Sequence, residues 1–170
     1  METTMTSTRI DRGSTPTTTI YSDGTDLVFE RTFDAPREQV WKAFMDPTLV
    51  PRWWGPHGTT TVVAEMDVRP GGKWRYVSSA PDRDDVAFFG EYLEIDPPER
   101  FRWTFLFDVP GMGTQGGPET HVFADVDGRT RITSTSHMGS SEAIDGALAS
   151  GMVRGALETW DRLATLLAER

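Results

Sequence analysis

The chain has 170 residues, 17 Lys and Arg against 26 Asp and Glu, a net charge of −9 and no cysteine. That length holds one domain with its core and not two of ordinary size. The acidic balance argues against a phosphate backbone or an anionic membrane surface as partner, and the missing thiols exclude disulfides and thiolate metal sites.

Residues 1–19 show no apolar run after a basic patch, and nowhere do roughly 18 apolar residues stand together, so neither a signal peptide nor a membrane span is expected and a cytoplasmic location is. Residues 1–24 are Thr-rich and lack apolar periodicity, which predicts a disordered tail, with the folded domain over 25–170. Leu27, Phe29 and Phe33 then alternate with polar residues as in a half-buried strand. Asp34-Ala35-Pro36 offers a helix start, and Val40, Trp41, Phe44 and Met45 follow at helical spacing. Asp46-Pro47 restarts a second short helix through about Trp53, closed by Gly55-Pro56-His57-Gly58. From Thr59 onward the apolar period is two. Strands are expected near 60–68, 73–79, 86–95, 100–108, 119–126 and 129–138, with Pro- and Gly-rich punctuation between them. Connections this short make an antiparallel meander. Residues 141–168 contain no proline and carry Ile144, Leu148, Met152, Trp160, Leu163 and Leu167 as a stripe, the pattern of one long helix. Gly146, Gly151 and Gly155 weaken its first half by about 1 kcal/mol each. The predicted fold is α+β: a curved antiparallel sheet of about seven strands around a long C-terminal helix, with two short helices after the first strand.

Asp127-Gly128 fits a two-residue type I′ hairpin. Its register sets Phe123 opposite Ile132, His121 opposite Ser134 and Glu119 opposite Ser136. The Phe123–Ile132 pair marks that face as interior, which leaves His121, Ser134 and Ser136 as polar groups in an apolar wall. Phe101, Trp103, Phe105 and Phe107 share the buried side of their strand; Trp74 and Tyr76 share a face, as do Met66 and Val68.

Taken in order, Phe33-Asp34-Ala35-Pro36 with Val40-Trp41, Trp53-Trp54-Gly55-Pro56, Pro70-Gly71-Gly72, the run Phe89-Gly90-Glu91-Tyr92 through Pro97-Pro98-Glu99-Arg100, and Thr130-Arg131-Ile132-Thr133 resemble the SRPBCC superfamily. Within it they are most similar to the branch that looks like the C-terminal domain of activators of the heat-shock protein 90 ATPase. The resemblance spans about Thr25 to Leu167. It implies the helix-grip (START-like) fold and a cavity between sheet and helix that takes a hydrophobic small molecule. It implies no single reaction, since some members cyclise or dehydrate polyketides, others only bind, and some protect the host from a reactive metabolite. The chaperone activators' separate N-terminal domain is not seen in this sequence, so a chaperone partner is not expected.

The expected ligand is therefore hydrophobic, aromatic or polyketide-like, with a polyketide cyclase or dehydratase and a self-resistance protein as the alternatives. The expected lining is Trp54, Met66, Trp74, Tyr76, Phe88, Trp103, Phe105, Met112, His121, Phe123, Ser134 and Met152, because rings and thioethers suit flat apolar guests. His121 beside Ser134 is the candidate acid–base group. Glu91 shares parity with Leu93 and Ile95, so it is the candidate carboxylate partner for His121, with a bulge as the feature that would turn it outward. Gly111-Met112-Gly113-Thr114-Gln115-Gly116 has the letters of a dinucleotide motif, but Pro118 and a strand follow instead of a helix, so it reads as a flap at the cavity entrance. His121 and His137 fall on opposite faces, so no metal site is expected, nor any cofactor, and no nucleophile elbow is visible.

Overall fold

The structure is a computed structural model in which residues 9–169 are described. Nine antiparallel strands form one sheet: β1 (Arg9–Asp11), β2 (Thr19–Asp23), β3 (Asp26–Phe33), β4 (Thr60–Met66), β5 (Lys73–Ala80), β6 (Arg83–Asp96), β7 (Arg100–Val109), β8 (Gly113–Val126) and β9 (Arg129–His137). Their order across the sheet is β1-β2-β3-β9-β8-β7-β6-β5-β4. Strands β4 to β9 are the expected meander, each paired with the next. The turn at its end is closed by Asp127 and Gly128, both at positive φ (54° and 83°), as a type I′ hairpin requires. The observed β8–β9 register sets His121 opposite Ser134 and Glu119 opposite Ser136, as the hairpin geometry predicts.

Three helices cover one face: α1 (Arg37–Met45), α2 (Ser141–Ala149) and α3 (Met152–Ala168), with a 3-10 turn at Val50–Arg52 after α1. Phe33, Trp74, Tyr76, Tyr92, Phe101, Trp103, Phe123 and Ile132 of the sheet pack against Val40, Ala43, Val50, Trp53, Leu163 and Leu167. A second cluster joins Ile20, Leu27 and Phe29 to Ile144, with Met152, Val153, Ala156 and Leu157 leaning on it. Trp160 touches both clusters.

Four departures from the sequence reading have physical causes. Residues 9–24 are not a tail: they contribute β1 and β2, and of the expected tail residues 1–8 lie outside the described part. The buried face of β2 and its approach is Thr18, Ile20 and Ser22. With a single apolar member, that face leaves hydropathy patterning nothing to detect.

The C-terminal helix is two helices. Ser140 caps α2 by accepting from Ala143 N, and Gly151, at φ 83°, breaks the path before α3. The Gly-rich segment is not a free flap, since Gly113–Gly117 pair with Phe105–Val109 as the start of β8. Gly116, at φ 108°, lies so close under the Phe105 carbonyl that a Cβ would collide with it. Finally, the β6–β7 register shifts between Tyr92 and Glu94. This bulge exchanges the parity of β6: Tyr92 is buried, Glu91 is exposed, and Leu93 is turned out.

Candidate functional site

Antiparallel register builds the site. Across β3–β9–β8–β7, one row of directly opposed residues reads Phe29, Ser134, His121, Phe101, and the next reads Leu27, Ser136, Glu119, Trp103. Each row is apolar at both ends and polar in the middle. The four polar side chains therefore form a compact quartet walled by Phe29 and Leu27 on one side and by Phe101 and Trp103 on the other.

The quartet is fully connected. Trp103 Nε1 donates to Glu119 Oε1 at 2.9 Å, and Ser136 Oγ donates to Glu119 Oε2 at 2.8 Å. His121 Nε2 lies 3.3 Å from Glu119 Oε1, and His121 Nδ1 lies 2.7 Å from Ser134 Oγ. The imidazole stacks on Phe101, with centroids 4.6 Å apart and planes at 25°, and meets Trp103 edge-on at 5.6 Å. Ring position and tilt are thus fixed from both sides.

His121 keeps 10% of its side chain exposed and Glu119 keeps 20%. Burial drives the Glu119 carboxyl upward. The hydrogen bond and charge of His121, with the donors Trp103 and Ser136, outweigh it and hold the carboxyl below its ordinary value. The site is a preorganised carboxylate–imidazole–hydroxyl line opening onto apolar walls.

Glu91 does not take part. It is exposed on the opposite face, paired with Lys73 across the β5–β6 ladder, because the bulge removes the parity that favoured it. The carboxylate at His121 is Glu119. Its signal was present in the hairpin register, which sets it opposite Ser136 on the interior face.

The expected lining divides in three. Trp74, Tyr76 and Phe123 are sealed in the core, with Trp74 stacked on Trp103 at 4.1 Å, and Trp103 itself is buried. Trp54, Met66, Phe88, Phe105, Ser134 and Met152 point inward yet remain half-buried. Trp54 meets Phe88 at 4.8 Å and Tyr76 at 5.3 Å. Met112 stands at the tip of the β7–β8 hairpin, 68% exposed, and packs against neither cluster.

Two hollows open on the surface. One, of about 340 Å³, lies against Thr17, Thr19, Glu30, Arg31 and Arg131; the other, of about 370 Å³, lies against Arg52, His57, Arg162 and Glu169. Between sheet and helices, the rings of Trp54, Phe88 and Phe105 remain only partly covered. On the far face of the sheet His137 bonds Asp26 and Thr120, each at 3.0 Å. Among the described residues no group of three acidic or imidazole side chains could hold a metal ion, and no helix is long and apolar enough to cross a membrane.

A family model described as activator of Hsp90 ATPase homolog 1-like protein matches residues 34–168. No curated protein matches the chain. Among solved structures, protein Ms6760 of Mycobacterium smegmatis superposes with a TM-score of 0.80 at 27% identity, over 91% of this chain and 99% of that one. A protein of Rhodobacter sphaeroides gives 0.79 at 28% identity, over 89% and 98%. Protein CV1439 of Chromobacterium violaceum gives 0.74 at 28%, over 86% and 99%.

Proposed function

As this chain belongs to the family of activator of Hsp90 ATPase homolog 1-like proteins, we propose that it binds a hydrophobic, ring-bearing small molecule between the helix-covered face of its sheet and α3. The observation that carries this reading is the polar quartet set between apolar ends of two cross-strand rows. A core built for packing alone gains nothing from a carboxylate and an imidazole at that depth, because each must be matched by hydrogen bonds merely to break even. A ligand with a ring and one hydroxyl or carbonyl uses both parts: the half-buried Trp54, Phe88 and Phe105 supply faces for the ring, and the quartet supplies a directional anchor.

The cyclase or dehydratase alternative draws on the same imidazole, held by Glu119 in place of Glu91, as a general base. Nothing specific in the geometry favours a self-resistance role.

Ligand-observed NMR with 2-naphthol, which has a fused ring and one hydroxyl, tests the seat. Saturation transfer is expected from the wild-type chain, together with quenching of tryptophan fluorescence and a rise in Tm with naphthol concentration. Replacing Ser134 by Trp fills the seat and is expected to abolish all three signals. Absence of transfer in the wild type, or transfer undiminished in Ser134→Trp, would overturn the proposal.

A further inference from the structure

We infer that Ser134 is an acyl-accepting nucleophile and that the site hydrolyses activated esters or thioesters of aromatic or other apolar acids. The inference rests on the ligand seat proposed above and adds a reaction to it.

The ground is the order in which the quartet is bonded. A serine is a poor nucleophile unless a base can take its proton and a third group orients that base. Here Ser134 Oγ sits 2.7 Å from His121 Nδ1, and the other nitrogen of the same ring faces Glu119 Oε1 at 3.3 Å. Glu119 is anchored by Trp103 and Ser136, so its carboxylate cannot swing away. Phe101 and Trp103 pin the ring plane. With Nε2 protonated and directed at the carboxylate, Nδ1 is the acceptor and the Ser134 hydroxyl is its donor. Ser136 has no such base, since its own hydroxyl donates to Glu119. The chain order is Glu119, His121, Ser134 on adjacent strands of one hairpin, which is why no sequence motif for a nucleophile announces it.

In the step, Ser134 Oγ bonds to the acyl carbon as its proton passes to His121 Nδ1. The bond from that carbon to the aryloxide or thiolate then breaks, and the leaving group takes the proton from Nδ1. Water repeats the exchange on the acyl-serine and releases the carboxylic acid, restoring Ser134. Glu119 stabilises the imidazolium that forms between the transfers. Around Ser134 and His121, β9 and β8 are each paired on both sides, so their backbone N–H groups serve the ladders rather than an oxyanion. That selects substrates with good leaving groups and excludes amides.

A second histidine provides an internal control. His137 also bridges a carboxylate, Asp26, and a hydroxyl, Thr120, but both His137 and Asp26 are more than a third exposed, on the other face of the sheet.

The test uses the full chain with 4-nitrophenyl butyrate and, separately, with an alkyl fluorophosphonate, followed by intact-mass measurement and peptide mapping. The expected result is a stoichiometric burst of nitrophenolate and an adduct on Ser134. Ser134→Ala is expected to lose both, and Glu119→Gln to slow acylation by about 10²-fold or more. Thr120→Ala is expected to behave as wild type. An adduct on Thr120, or no adduct on Ser134 in a wild-type chain that binds 2-naphthol, would overturn the nucleophile and leave the seat standing. A wild-type chain that binds no 2-naphthol would instead overturn the seat. Mapping the wild-type adduct needs no variant to fold.

Discussion

Glu119 shows how one residue can serve both fold and site. Its two oxygens accept from Trp103, Ser136 and His121, so it ties β7, β8 and β9 together. Replacing it by Gln keeps the shape but turns one acceptor into a donor, and one of these partners is left without an acceptor. A loss of about 1–3 kcal/mol at neutral pH is expected from urea unfolding. The pH dependence has a definite sign. The carboxyl titrates below 4.5 in the fold and at that ordinary value when unfolded. Its stabilising contribution is therefore complete above pH 4.5 and is lost as pH falls through the lowered folded-state value. Asp11, held low by Ser14 and the Gly13 amide, and Asp46, held low by Thr48, act in the same direction. The diagnostic is thus a difference: between pH 5 and pH 3 the Tm of the wild type should fall more steeply than that of Glu119→Gln. Parallel curves would remove Glu119 from the balance.

At the scale of elements, most of the meander could be read from the chain because its strands alternate and its turns are marked. Asp127-Gly128 alone fixed the β8–β9 register, and with it the pairing of His121 with Ser134. What escaped reading has a common cause, namely a local rule broken by a long-range requirement. The bulge after Tyr92 lets Ile95 and Phe101 pair on the inner face, and nothing in the letters Tyr92-Leu93-Glu94 announces an extra residue. The buried face of β2 and its approach is mostly hydroxyls, which find their partners in Arg12 and Thr17 and leave no apolar period to read. Gly151 was visible as a weak point, but a weak point and a break differ by a φ sign that composition does not contain. Gly151→Ala makes that break measurable. A Cβ at φ 83° meets open space but strained backbone, so a loss of about 1–2 kcal/mol is expected, with helical content retained. An unchanged urea midpoint would mean that α2 and α3 run as one helix in solution.

At the scale of the molecule, strands near the start of the described chain and helices near its end support the site together. Ile20, 0% exposed, packs with Leu27, Phe29 and Ile144, so β2 belongs to the core that supports the row containing Ser134. Ile20→Ala is expected to cost about 2–5 kcal/mol, and 2-naphthol binding should weaken with it; a change under 1 kcal/mol would return residues 9–24 to the status of an appendage. At the opposite end, α3 is fastened by Arg31 to Asp161 at 2.7 Å, by Arg162 to the Gly55 carbonyl at 2.9 Å, and by Arg52 to Glu169.

The pairing of β3 with β9 has a consequence in time as well as in space. Phe29 and Ser134 are neighbours in the finished sheet, yet about a hundred residues of chain separate them. As the polypeptide emerges from the ribosome, Leu27 and Phe29 have only β2 beside them, and their second partner strand comes after the whole meander is made. Glu119, His121, Ser134 and the helices α2 and α3 then all arrive in about the last third of synthesis. A topology so dominated by distant contacts belongs among slow folders, in milliseconds to seconds, not among the microsecond helical bundles. Any premature release of the nascent chain would leave an apolar strand exposed and no site at all.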